Sequence, residues 1–294
     1  MKFCFVILHY LNLSDTIKCV SSIFQNIRYP DYFIILVDNA SPDNSGQKLA
    51  ELYVNEEKVT VLLNSENLGY ARGINSGASY AAEKHSPDFI CILNNDTEIT
   101  QEDFVDIVIN RFNKESFHFL GPDIISKTGS QNPYKETMVD LPSAKKGIKQ
   151  TRQLLFLNYL HLDKILLKYV EVKHKLKGKT QSNRSTEIIN AGLHGACIIF
   201  SKDYIYNYPS LFYPETFLYM EENILSYIRR RDNLVSVYLP QLKIFHSEDG
   251  SINMVFEKKN LKRRAIYKLR IDSIRKFIEL IKNPAYFTGY KNRL

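Results

Sequence analysis

Within the first 120 residues, short apolar runs alternate with segments of helical period, and every run ends in a cluster of polar side chains. That alternation is the pattern of βαβ units wound around a mainly parallel sheet. The runs Phe3 to Leu8, Phe33 to Val37, Val59 to Leu63 and Phe89 to Leu93 are the expected strands, with helices beginning near Ser14, Gly46, Ala71 and Thr100. Ser14 and Thr100 are of the residue type that caps a helix N-terminus. In an open α/β sheet a ligand sits beyond the carboxyl ends of the strands. The residues found there are His9-Tyr10, Asp38 to Asp43, Asn64 to Gly69, and Asn94-Asn95-Asp96. Turn chemistry accounts for much of this composition. It accounts less well for acids at the ends of the second and fourth strands.

The chain has 294 residues, 44% hydrophobic and 24% charged, which suits one large or two modest globular domains and removes the disordered, collagen-like and coiled-coil readings. Cys4, Cys19, Cys91 and Cys197 show no metal-binding or disulfide spacing, so a reducing compartment fits. The run from Phe3 to Leu8 is too short for a signal peptide, and no stretch approaches the ~20 apolar residues of a membrane span. A cytoplasmic protein is expected, with any contact at the inner face of the plasma membrane peripheral.

Charge is zoned along the chain. Residues 1 to 140 carry 11 basic and 19 acidic side chains, residues 141 to 185 carry 11 and 2, and residues 241 to 294 carry 13 and 5. Two basic zones flanking an acidic body suit an anionic partner, or else two solvated helix faces. The first zone holds an amphipathic stripe, Leu155, Tyr159, Leu162, Leu166 and Tyr169. The second holds another, Tyr267, Ile271, Ile274, Ile278 and Ile281. Either stripe could pack on the body of the protein, meet lipid, or join two copies. Between the zones, core-like sequence resumes at Ala191 to Phe200, a helix opens near Glu221, and a strand runs from Val235 to Leu239.

Asn94-Asn95-Asp96-Thr97 offers oxygen ligands suited to a hard divalent cation beside phosphates, although such a cluster after a strand is also a common turn. Asn67 to Asn75 reads as a glycine-bearing connection into a helix, with Arg72 and Asn75 on the first turn where the helix dipole favours a diphosphate. Glu221-Glu222 opens a helix ending in Arg229-Arg230-Arg231, an arrangement that the dipole favours whether or not the acids are catalytic.

In this order the motifs resemble those of the family 2 glycosyltransferases, which have the GT-A fold and include rhamnosyl-, galactosyl- and N-acetylhexosaminyl-transferases of bacterial surface polysaccharides, capsule among them. Val37-Asp38-Asn39-Ala40-Ser41-Pro42-Asp43 is similar to the family's nucleotide-binding Asp motif, and Asn67 to Asn75 to its Asn-x-Gly motif. Asn94-Asn95-Asp96 falls at the Asp-x-Asp position, His194-Gly195-Ala196-Cys197 at the small-residue strand under the acceptor, and Met220-Glu221-Glu222 at the Glu-Asp motif. The resemblance implies that Tyr10, Asp38, Asn67, Gly69, Arg72, Asn75, Asn94, Asn95 and Asp96 bind the nucleotide-sugar. Asp96 and His246 would hold Mn2+ or Mg2+, and Glu222, supported by Glu221, would be the catalytic base. It further implies inversion, a UDP- or dTDP-sugar donor and a lipid-linked or oligosaccharide acceptor. Asn94 stands where the family has a first Asp, and Glu222 where it more often has Asp. The corresponding layout is one GT-A domain over 1–250, comprising a nucleotide-binding half (1–120), a basic helical insertion (141–190) and an acceptor half (191–250), followed by basic amphipathic helix over 251–294.

Two other classes compete. A nucleic-acid-binding protein would use the basic zones, but the net charge of −8 over residues 1 to 140 opposes it. A nucleotidyltransferase would need a glycine-rich, lysine-bearing loop after Leu8, and the chain has none there.

Overall fold

A strand covered on both faces needs an unbroken apolar run, and Phe3–His9 supplies one: all of β1 is buried except Leu8, which is half-buried. The same reasoning gives β2 (Tyr32–Asp38), β3 (Val59–Leu63) and β4 (Phe89–Asn94). These four lie parallel in the order β3-β2-β1-β4, joined by α1 (Leu13–Asn26), α2 (Ser45–Leu52) and α3 (Gly69–His85). The architecture comes from a computed structural model that describes residues 1–127, 129–165, 185–248 and 259–290.

Two expected helix caps are replaced. Asn12, not Ser14, caps α1 by accepting from the backbone N–H of Asp15. No helix begins near Thr100, because Thr97–Ile99 forms β5 instead and α4 (Phe104–Lys114) opens only after Asp103. The short β5 is held by antiparallel pairing with a strand far along the chain, with Thr97 opposite His246. Pairing of that kind leaves no local signal in the sequence.

Further elements complete one mixed sheet: β6 (Phe119–Ser126), β7 (Gly129–Ser130), α5 (Leu141–Tyr159), β8 (Ile188–Ile189), β9 (Cys197–Ser201), α6 (Lys202–Ile205), α7 (Glu221–Arg231), β10 (Ser236–His246) and α8 (Lys259–Lys282). The strand path runs β3-β2-β1-β4-β9-β6-β10-β5, with β9 antiparallel to both of its neighbours. Alternate residues of β1 feed two cores. Cys4 and Val6 pack with α3, α7 and α8 on one face, and Phe3, Phe5 and Ile7 pack with α1 and α4 on the other. The anticipated strand at Val235 to Leu239 runs on to His246, interrupted by a shift of register between Leu239 and Lys243.

The basic stripes differ in fate. On α8, Tyr267, Ile271 and Ile274 are buried, Phe277 and Leu280 join them, and Ile278 and Ile281 pack partly buried against the same core. This apolar face is used inside the protein and is free for neither lipid nor a second copy. On α5, the stripe drawn through Leu155, Tyr159 and Leu162 is not the buried one, and Leu166 and Tyr169 lie outside the described residues. Its buried line is Ala144, Thr151 and Asn158, while Phe156, Tyr159, Leu160 and Leu162 are exposed. The inward face is polar because Asn158 accepts from Arg264 of α8 and donates at 2.9 Å to Asp163, which lies just beyond α5, is fully buried and accepts from Arg263 Nε at 2.6 Å. Helix α5 starts at 141 because Asp140 and Ser143 form a capping box with Pro142 in the first turn.

Candidate active site

At the end of β2, Asp38 accepts the Ser41 hydroxyl at 2.6 Å and lies 4.0 Å from His9 Nε2. The His9 ring is buried, with Nδ1 at 2.7 Å from the Thr16 hydroxyl and Nε2 at 2.8 Å from that of Ser45. Tyr10 follows, half-buried, at the same edge. Asn39, part of the Asp38 motif but not among the expected ligand-binding residues, ties this edge together. Its amide donates to Asn67 Oδ1 (2.9 Å) and the Gly69 carbonyl (3.1 Å), and its carbonyl oxygen accepts from Leu68 N (3.0 Å) and Asn64 Nδ2 (3.2 Å).

Gly69 needs to be glycine. Its φ is 77°, and a Cβ there would lie 2.2 Å from the Phe217 carbonyl oxygen. Arg72 and Asn75, expected against a diphosphate, are committed elsewhere. Asn75 is buried and exchanges two hydrogen bonds with the backbone of Phe212, and Arg72 donates to the Pro214 carbonyl and pairs with Glu215. Both hold the loop that leads into α7. Asn95 is likewise turned away, donating to the Thr16 hydroxyl at 3.1 Å. Asn94 stays half-buried at the edge, its carbonyl accepting from the Thr97 hydroxyl.

Asp96 meets His246 across the β5–β10 pairing: Oδ1 and Nε2 are 3.2 Å apart and both side chains are buried. The orientation of the imidazole is fixed from behind. Nδ1 lies 2.7 Å from Gln131 Oε1, and Gln131 is itself held in that sense because its amide nitrogen donates to Glu248 at 2.5 Å. Nδ1 therefore donates to Gln131, and Nε2 faces Asp96. Two acceptors at this distance need a proton or a cation between them. Adjacent ligands of an octahedral ion, each about 2.1 Å from the metal, lie about 3 Å apart, so the pair fits a divalent cation. Among the described residues no three His, Cys, Asp or Glu side chains gather to hold a metal, so the other positions suit phosphate oxygens and water.

Two consecutive residues with positive φ, Tyr219 (73°) and Met220 (80°), turn the chain into α7. Such strain persists only where the surroundings enforce it, and it collects at functional sites. The two glutamates that follow are adjacent on the helix and so point about 100° apart. Glu222 is half-buried and accepts from the backbone N–H of Gly195 at 3.2 Å. A Cβ on Gly195 would lie 2.8 Å from that carboxylate oxygen, and the Gly195 carbonyl accepts from the Tyr70 hydroxyl at 2.8 Å. Glu221 is buried and accepts from Thr216. Burial, and then the neighbouring Glu222, push its carboxyl from the ordinary 4.5 up to about 8.

Glu221 therefore holds a proton in the folded state between pH 4.5 and about 8 that the unfolded chain has released. The sign follows: stability is complete below the unfolded value and declines as the pH rises toward the folded one. Glu221→Gln, neutral throughout, is expected to remove that decline and to exceed the wild type above pH 8 by up to about 5 kcal/mol. Melting temperatures from roughly pH 5 to 9 test this, and parallel curves for the two proteins would exclude Glu221 as the titrating group.

Residues 4–206 match the family model described as glycosyl transferase family 2. Among solved structures, S. aureus TarS (residues 1–349) superposes with a TM-score of 0.52 at 14% identity, over 84% of this chain and 60% of TarS. GalNAc-T7 with UDP, GalNAc and Mn2+ gives 0.56 at 15% identity, over 84% of this chain and 44% of that one. TarS 1–349 in complex with UDP-GlcNAc gives 0.51 at 13% identity, over 96% and 72%. At such identities the likeness is one of fold, the GT-A fold. This chain spans 60% of the length of the first and 44% of the second. No curated protein sequence matches it.

Proposed function

This chain belongs to glycosyl transferase family 2, and we propose that it is an inverting transferase moving a sugar from a UDP- or dTDP-sugar to a hydroxyl of a lipid-linked or oligosaccharide acceptor. The observation that carries the reading is the grouping at one sheet edge of a buried Asp96–His246 pair and the half-buried carboxylate of Glu222. UDP or UDP-GlcNAc accompanies two proteins of the same fold, one of them with Mn2+, which supports a uridine donor.

Asp96 and His246 are the residues that would hold Mn2+ or Mg2+, whose charge when bound offsets the negative charge growing on the leaving diphosphate. Glu222 takes the proton of the acceptor hydroxyl as its oxygen bonds to the anomeric carbon. The bond from that carbon to the diphosphate breaks and its electron pair leaves with the phosphate. The half-buried carboxylate of Glu222, with Glu221 buried and protonated at neutral pH, suits a single displacement and therefore inversion. Lys145, Lys149 and Arg152 lie exposed on α5 beside the exposed Phe156 and Tyr159, which supports approach to an anionic lipid surface carrying the acceptor. Among the described residues no helix is long and apolar enough to cross a membrane.

Melting temperatures with UDP, dTDP, GDP and CMP, each with and without Mn2+, test the donor site. Stabilisation of several degrees by UDP or dTDP with Mn2+, absent in Asp96→Ala, is the expected result. No stabilisation by any nucleotide would overturn the reading.

A further inference from the structure

A second imidazole stands beside the Asp96–His246 pair. The rings of His194 and His246 are 6.1 Å apart between centroids, and the residue after His194, Gly195, donates its N–H to Glu222. His194 is therefore close to both the candidate base and the candidate cation pair. Its placement is fixed twice by backbone. Its own N–H donates to the buried Asn132 Oδ1 at 2.8 Å, and the N–H of Ala196 donates to its Nδ1 at 3.1 Å. The ring edge of Tyr134 packs against it at 6.1 Å.

A ring nitrogen that accepts from a peptide N–H carries no proton, so the single proton of a neutral imidazole is on the other nitrogen. The two histidines are thus held in opposite senses at Nδ1: His246 donates there to Gln131, whereas His194 accepts there from Ala196 and presents an N–H at Nε2. Among the described residues no partner meets that N–H, and a ring whose Nδ1 accepts a hydrogen bond is neutral.

We infer that His194 is a binding and catalytic hydrogen-bond donor to the leaving diphosphate of the sugar donor, and that its tautomer bars it from ligating a metal. This rests on the transferase reading above. As the bond between the anomeric carbon and the diphosphate oxygen breaks, the electron pair stays on the phosphate and the acceptor proton passes to Glu222. His194 keeps its own proton and contributes only the hydrogen bond, which strengthens as negative charge collects.

Two substitutions separate this role from a structural one. His194→Gln keeps an N–H donor near the position of Nε2 and gives up the acceptor for Ala196. His194→Asn keeps an acceptor near Nδ1 and gives up the donor. The probe is UDP or dTDP, whichever stabilises the wild type, titrated with Mn2+ by calorimetry alongside the corresponding nucleoside monophosphate and Mn2+ alone. Expected is affinity for the diphosphate within about threefold of wild type for His194→Gln and a tenfold or greater loss for His194→Asn. Both variants should retain affinity for the monophosphate and for Mn2+, the former also showing that they are folded. The reverse pattern, retention in Asn and loss in Gln, would assign the ring to Ala196 alone and overturn the inference. So would undiminished diphosphate affinity in both, or loss of Mn2+ affinity in either. Failure of the wild type to bind either diphosphate would overturn the parent reading and this inference with it.

Discussion

Glu222→Gln is expected to lower sugar transfer by about a hundredfold to ten-thousandfold while leaving nucleotide affinity unchanged. Glutamine has the size of glutamate and keeps an oxygen to accept from Gly195 N–H, so the local geometry survives. It has no basicity, and the acceptor hydroxyl is left to attack with its proton in place, a loss of about 10²–10⁴ for general-base catalysis. The split is the informative part: kcat falls while the binding constant for the diphosphate stays. Release of nucleoside diphosphate from the donor, with and without acceptor, measures it. Should Glu221→Gln abolish turnover and Glu222→Gln spare it, the assignment of the base would be reversed.

Asp163→Ala is expected to cost about 3–5 kcal/mol and to lower the melting temperature by roughly 5–10 °C. The side chain is fully buried and gathers Arg263 Nε, Arg263 Nη2 at 3.2 Å, Asn158 and the Tyr267 hydroxyl at 3.3 Å. Arg263 first, with Asn158 and Tyr267, holds the carboxyl down at about 2. Its contribution to stability is therefore complete above the ordinary value of 3.8 and is lost as the pH falls toward 2. Removing it leaves the charge of Arg263 without its carboxylate where α8 meets α5. Calorimetry of wild type and variant, near pH 7 and near pH 3, reads both effects. The difference should shrink at low pH. A difference below about 1 kcal/mol at neutral pH would show that apolar packing, not this contact, joins the two helices.

The first four strands were legible because buried parallel strands leave continuous apolar runs that end in polar residues. Asp96 and His246 were found by motif, and they meet. What sequence could not reveal is pairing over distance. Nothing near Thr97 announces a strand, because its partner is His246. Gly121-Pro122 interrupts the run that becomes β6, and β9 enters between β4 and β6 against the parallel pattern. In the site, Gln131 and Asn132 act only through His246 and His194, and Gly195 matters because a Cβ would meet Glu222. Arg72 and Asn75 sit on the expected turn of α3, yet local spacing says nothing of the loop at 212–217 that claims their side chains.

The pairing of β5 with β10 also orders events during synthesis. Asp96 leaves the ribosome 150 residues before His246, and Glu222 emerges late as well. At about 5–20 residues per second, the interval between the two partners is roughly 8–30 s. Throughout it the four parallel strands and the polar edge at their ends have been made, but the Asp96–His246 pair and Glu222 have not. On the transferase reading proposed above, a nascent chain thus carries the ends of the parallel strands before Glu222 and the Asp96–His246 pair are in place, and the site is completed only as the last strand of the sheet is laid down.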